Sequence, residues 1–170
     1  MLLVTEKRLY IDLDGTLCRF HPVEKMEELL EPGYFLRLEP HMNIINAVRN
    51  LFEGSYFDGI YVISSVLRES QTGVIEKKRW IKHYLPEIDE EHMLFPFCDE
   101  SKALMVCPDG QIPSSYYLLD DYNKNLYDWS SRGGSAIKFL NGINHTKKTW
   151  KGAVVNNTEK CFEELFIATA

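Results

Sequence analysis

Five short β-rich runs recur along this chain with helix-length segments between them: RLYIDL (8–13), GIYVIS (59–64), MLFPFC (93–98), SYYLLD (115–120) and SAIKFL (135–140). That alternation is the strongest constraint on the fold. Parallel strands cannot be joined by tight hairpins and need a crossover of a dozen residues or more, usually a helix. Strands bounded by such segments therefore predict an α/β fold with a parallel sheet and helices on both faces. Two crossovers show helical spacing. HMNIINAVRNLF places Ile44, Ile45, Val48, Leu51 and Phe52 on one stripe, and VIEKKRWIKHYL places Val74, Ile75, Lys78, Ile81 and Leu85 on another. A third helix is expected over 124–131. A fourth is expected from Thr158 as N-cap, with Cys161, Leu165 and Phe166 facing inward.

At 170 residues the chain is expected to form one domain, 1–170, large enough to bury a core without staples. The sizeable insertion lies at about 21–42, between the first strand and its crossover, where Pro22, Pro32 and Pro40 divide it into a short helix and an extended piece. The net charge of -6 gives no general footprint for a nucleic-acid polymer or an anionic membrane, so a phosphate ligand needs dedicated local donors. Cys18, Cys98, Cys107 and Cys161 form no C-x-x-C pair and read as reduced thiols. MLLVTEKRLY falls short of a signal-peptide core, and no apolar stretch approaches membrane-spanning length. A cytoplasmic, untargeted protein is the expectation.

The first strand runs into DLDG, with Asp12 and Asp14 one residue apart. On a strand such residues share a face, and Gly15 then permits a sharp turn. Two carboxylates at 4 Å repel by roughly 4 kcal/mol at an effective dielectric near 20. Either a cation sits between them, for which a hard ion such as Mg²⁺ is suited, or one of them holds a proton. DLDG alone is equally a solvated turn, but its companions argue for more. Ser64 and Ser65 end the second strand, Lys102 lies in a loop after the third, and Asp120 and Asp121 end the fourth. Carboxyl ends of parallel strands are where open α/β sheets bind ligands.

These residues resemble the four motifs of the haloacid dehalogenase superfamily of phosphohydrolases: DLDGT the first, Ser64 the second, Lys102 the third and Asp120-Asp121 the fourth. Within it the chain is most similar to the 5'(3')-deoxyribonucleotidase (cytosolic 5'-nucleotidase type C) group, through Phe20, EKKRW (76–80), the place of Lys102 before LLDD, and NLYDWSSRGGSAIKF. The resemblance implies a three-layer Rossmann-like sheet ordered 5-4-1-2-3 with a minimal cap. It also implies a Mg²⁺-dependent phosphomonoesterase that works through an aspartyl phosphate on a small phosphorylated metabolite, such as a (deoxy)nucleoside monophosphate. Asp12 would be the nucleophile and Asp14 the acid and base, its pKa raised by its neighbour. Mg²⁺ would be held by Asp12, the backbone carbonyl of Asp14, Asp121 and Asp120. Ser64, Ser65, Arg68 and Lys102 would take the phosphate. Arg68 stands where the nucleotidases carry lysine, and the cap is shorter than theirs, which leaves Phe20, Tyr34 and Phe35 as candidate pocket walls.

Other features have plainer readings. Cys18 and the five histidines are expected to pack or face solvent, and 141–152 is expected to be a connecting loop, with Asn144, Lys147 and Trp150 as its candidates for a lid. Lys77 and Lys78 lie either toward the site or on a solvated helix face. A short cap leaves the cleft open unless a neighbouring subunit covers it, so a homodimer is a further expectation. Competing functions are a phosphatase for sugar phosphates or phosphopeptides, a phospho-accepting receiver with Asp99 as acceptor, and a non-catalytic binding domain.

Overall fold

In the computed structural model, residues 5–145 and 147–170 are described; the first four residues of the N-terminal stretch and Thr146 of the 141–152 loop lie outside them. Among the described residues six strands form one sheet: β1 (Arg8–Ile11), β2 (Gly59–Ile63), β3 (Met93–Leu94), β4 (Tyr116–Asp120), β5 (Ser135–Leu140) and β6 (Ala153–Asn156). Every pairing is parallel and the order is β3-β2-β1-β4-β5-β6. The expected 5-4-1-2-3 order holds, and β6 extends it beyond β5. The loop reading of 141–152 hid β6 because only four residues follow it in extended form. A receiver orders its strands 2-1-3-4-5, so this sheet sets that reading aside.

The helices are α1 (Met42–Glu53), α2 (Gly73–Tyr84), α3 (Lys102–Val106), α4 (Asn123–Ser131) and α5 (Cys161–Ala168). Alternate strand residues separate two cores, as the period of two requires. Leu9, Ile11, Ile60, Val62 and Leu119 pack with Ile44 and Val48 of α1, Ile81 of α2 and Leu165 of α5. Tyr10, Ile63 and Leu118 pack on the other face with Ala103 of α3 and Leu126 and Trp129 of α4. The result is three layers. No helix among the described residues is long and apolar enough to cross a membrane.

Four expectations need correction. The α2 stripe is rotated: Ile75 is 53 % exposed, whereas Glu76, Lys77 and Trp80 are buried with Ile81. Apolar spacing misplaces this face because its inward charges have partners at the site. Lys102 opens α3 instead of lying in a loop, since Ser101 caps that helix by accepting from the Leu104 N–H at 3.1 Å. Thr158 does not cap α5, whose flanking residue is Lys160, and Phe166 is exposed. In the 21–42 insertion, 3-10 turns form at Met26–Leu30 and Phe35–Arg37, the second within the piece expected to be extended.

Candidate active site

β1 lies between β2 and β4, and the order reverses between β1 and β4, so the carboxyl ends of these two strands open on a crevice. β1 stops at Ile11, and the Asp12 N–H still donates to Leu119 O of β4 at 2.9 Å. Asp12 is thereby fixed as the first residue past the sheet and is buried. Its Oδ1 accepts from Lys102 Nζ at 2.6 Å, and Asp120 Oδ2 accepts from the same ammonium at 2.7 Å. Asp14 accepts instead from the fully buried Lys77, which also donates to Ser64 Oγ at 2.9 Å and Ser65 O at 2.7 Å. Each acid of the pair therefore has its own buried lysine, a solution that the choice between a cation lying between them and a proton held by one of them did not contain.

Burial pushes the Asp12 carboxyl well above the usual carboxylate range, with the Lys102 charge opposing and the neighbouring aspartates adding to the rise. For Lys102, burial works against the charged form, but Asp12 and Asp120 outweigh it and raise the pKa. At the end of β4 the two aspartates are held differently. Asp120 accepts from the Tyr122 N–H at 2.8 Å and from Asn125 Nδ2 at 2.9 Å, so both oxygens are committed within the protein. Asp121 accepts from Asn141 Nδ2 at 2.9 Å and from Asn144 Nδ2. Burial and the Asp120 charge raise Asp121 to about 6, against those two amide donors.

Asp12, Asp120 and Asp121 offer carboxylate oxygens that all lie within 4.8 Å of one another. Three buried acids in mutual contact with too few cations, two of them displaced upward in pKa, form the hard oxygen donor set that Mg²⁺ prefers, so the residues present fit that ion. Asp14 is outside this trio. Its Oδ1 is a buried oxygen without a hydrogen-bond partner among the described residues.

Gly15 is required where it stands. Its φ is +89°, and a Cβ built on it would lie 2.8 Å from Asp121 Cγ, so the turn brings the first and fourth motifs into direct contact. Gly15→Ala is expected to lower stability by about 1–3 kcal/mol and to weaken Mg²⁺ binding by displacing Asp121. Unfolding midpoints measured across a Mg²⁺ titration check both.

The cleft has a volume of about 470 Å³, with Asp12, Asp14, Asp120, Asp121, Lys77 and Lys102 at its floor. Phe20, Leu29, Phe35 and Leu67 supply its apolar walls, and Asp99, Glu100, Lys124, Asn125 and Asp128 its polar ones. Of the sequence-expected phosphate ligands, Ser65 and Lys102 line the cleft; Ser64 is buried behind it, donating to Asp14 Oδ2 at 3.3 Å. Arg68 is not brought in. Its guanidinium is half exposed, pairs with Asp99 at 3.1 Å and Glu100 at 3.2 Å, and lies over the Phe97 ring. Those two acids follow β3 and line the cleft, whereas Arg68 does not. Phe20 and Phe35 reach the wall, whereas Tyr34 packs edge-on against Phe35 and does not line the cleft.

Lys77 resolves toward the site and Lys78 toward the surface, where it pairs with Glu90 at 3.0 Å. Of the loop residues, Asn144 holds Asp121, Lys147 is exposed, and Trp150 is buried in the core on the α4 side. Sequence reasoning passed over Asn141, which bridges Gly15 O at 2.7 Å and Asp121, and Lys138 of β5, a buried lysine whose Nζ donates to Asp121 O at 2.8 Å. The signal for Lys138 was a lysine inside an otherwise apolar strand. Cys18 packs in the main core as expected. Asp99 is a surface ion-pair partner and not a strand-end acceptor.

No protein-family model matches the chain. Over 101 residues it is 29% identical to proteins from two strains of Staphylococcus epidermidis named "Putative 5'(3')-deoxyribonucleotidase"; the match covers 59% of this chain. The chain spans about half the length of these curated relatives, 48%. Among solved structures it is similar to the D,D-heptose 1,7-bisphosphate phosphatase of B. bronchiseptica, crystallised with magnesium and phosphate. The TM-score is 0.63 at 11% identity, covering 95% of this chain and 98% of the other. It is also similar to a protein of Burkholderia xenovorans titled a "putative haloacid dehalogenase-like hydrolase", with a TM-score of 0.60 at 13% identity, covering 98% and 100%.

Proposed function

We propose that this chain, which has the fold of the haloacid dehalogenase-like phosphatases, is a Mg²⁺-dependent phosphomonoesterase that works through an aspartyl phosphate. The observation that carries the reading is the paired arrangement of Asp12 on Lys102 and Asp14 on Lys77, in a cleft that also holds Asp120 and Asp121. A phosphoryl group needs positioning and charge neutralisation more than covalent chemistry from the protein. Asp12, Asp120 and Asp121 would hold the ion, which when bound supplies positive charge against the phosphate oxygens.

Lys102 and the ion's ligands fix the Asp12 carboxylate, and one of its oxygens attacks phosphorus. The bond to the leaving oxygen breaks, and Asp14 delivers a proton to that oxygen. Asp14 then takes a proton from water, whose oxygen attacks the same phosphorus. The Asp12 oxygen to phosphorus bond breaks, and inorganic phosphate leaves. Ser65, which lines the cleft, would donate to the phosphate oxygens, while Lys77 spends its three donors on Asp14, Ser64 and Ser65 and serves by holding Asp14. An acid beyond the nucleophile serves phosphoester cleavage, since an alkoxide must leave as an alcohol.

For the leaving group, the apolar walls of Phe20, Leu29, Phe35 and Leu67 favour a compact organic monophosphate with an apolar face, and a (deoxy)nucleoside monophosphate answers that description. The likeness to heptose bisphosphate phosphatases keeps sugar phosphates as the second class. Purified protein incubated with p-nitrophenyl phosphate is expected to release phosphate with Mg²⁺ and to stop when EDTA is added. A screen of nucleotides, sugar phosphates and phosphopeptides by relative rate then assigns the class. No turnover on any of these substrates overturns the reading.

A further inference from the structure

Residues 21–42 carry one wall of the cleft, yet little of the segment is buried. The Met26–Leu30 turn buries none of its residues, while Phe35 is 8 % exposed. What fastens the second turn comes from α2. Gly33 N–H donates to Glu76 Oε1 at 2.6 Å and Phe35 N–H donates to Glu76 Oε2 at 3.1 Å, so both carboxylate oxygens are used on backbone donors two residues apart. One turn of helix further on, Trp80 Nε1 donates to Leu38 O at 2.8 Å. Glu76 is 4 % exposed and has no cation bonded to it among the described residues; its partners are these two amides alone.

The neighbouring residue of α2 points elsewhere. Lys77 reaches Asp14, and its ammonium lies 4.4 Å from the centre of the Phe35 ring. A helix turns about 100° per residue, so consecutive side chains address two different bodies: Glu76 the turn that carries Phe35, and Lys77 the acid Asp14 of the site. A buried carboxylate is costly to place unless its hydrogen bonds are made, and a position that only packs would take an apolar residue.

We propose that Glu76 is a positioning residue for substrate selection: it pins the 33–38 turn so that Phe35 forms a fixed wall against the leaving group. This rests on the phosphatase reading for its kinetic consequence and on geometry alone for the anchoring. Glutamine keeps the shape of glutamate but presents one acceptor oxygen and an NH₂, so one of the two amides loses its partner. Glu76→Gln is expected to raise KM for p-nitrophenyl phosphate about tenfold, the size of one hydrogen bond to a charged group. KM for acetyl phosphate, whose leaving group offers little apolar surface, stays within about twofold, as does kcat for both.

If Glu76 acts through Phe35, the two changes share one effect, and Glu76→Gln combined with Phe35→Leu is no worse than Phe35→Leu alone. Independent losses that multiply, or equal losses on both substrates, overturn the proposal. Amide hydrogen exchange on the wild-type protein supplies a readout without turnover. Gly33 and Phe35 amides should be protected like the interior amides of α2, and rapid exchange there overturns the anchoring even if Glu76→Gln fails to fold. Protected amides in a protein inert toward all phosphoesters would reject the phosphatase reading and, with it, Glu76 as a selector of substrate.

Discussion

Asp12→Asn is expected to remove phosphomonoester turnover, by at least about 10³-fold, while the protein stays folded. The substitution keeps the shape of the side chain and a carbonyl oxygen for Lys102, whose ammonium lies 2.6 Å from Asp12 Oδ1 in the native site. What it removes is the anionic oxygen that can form a bond to phosphorus. Stability should change little, because burial already disfavours the charge at this position, and Lys102 keeps Asp120 at 2.7 Å. Steady-state release of phosphate from p-nitrophenyl phosphate, set beside unfolding curves of the two proteins, checks both halves. Rapid quenching followed by mass analysis should find a phosphoryl adduct on the peptide holding Asp12 in the wild type and none in the variant. A residual rate within tenfold of wild type overturns the nucleophile assignment.

The strands and the aspartates were legible because their signals are local. Alternation along RLYIDL and LLDD follows from a period of two and needs no knowledge of what packs against it, and motif order alone placed Asp12, Asp14, Asp120 and Asp121 at one end of the sheet. The lysine of the third motif was found, but not its helix, since the stop signals of a five-residue α3 are indistinguishable from a turn. Harder to read were groups whose direction is decided by a partner far away in sequence. Lys77 meets Asp14 63 residues earlier, and Asn144 meets Asp121 23 residues earlier. Spacing on α2 pointed the apolar Ile75 inward, and the partners Asp14 and Gly33 won that face for Lys77 and Glu76 instead. Arg68 likewise pairs with Asp99 and Glu100, 31 and 32 residues on, and does not itself line the cleft.

Lys102→Met is expected to cost about 3–5 kcal/mol at neutral pH, the range for removing one partner from a buried ion pair. Methionine fills the same space, so the loss is electrostatic: Asp12 and Asp120 keep their burial and lose their shared ammonium. The pH dependence follows from the acids. Asp121 lies near 6 in the folded protein against an ordinary 3.8, and Asp12 is displaced in the same direction. A carboxyl that binds its proton more tightly when folded adds stability at low pH and withdraws it as pH rises from the unfolded value through the folded one. For Asp121 that window runs from about 4 to about 6, and removing a nearby positive charge widens it for both acids. The deficit of the variant should therefore be largest above pH 7 and shrink steadily on acidification. Added Mg²⁺ should shrink it too, because an ion on Asp12, Asp120 and Asp121 replaces the missing charge. Urea unfolding of both proteins at about pH 5 and about pH 7.5, with and without Mg²⁺, reads all four conditions. A deficit that stays constant or grows as pH falls would mean that Lys102 does not balance these three carboxylates.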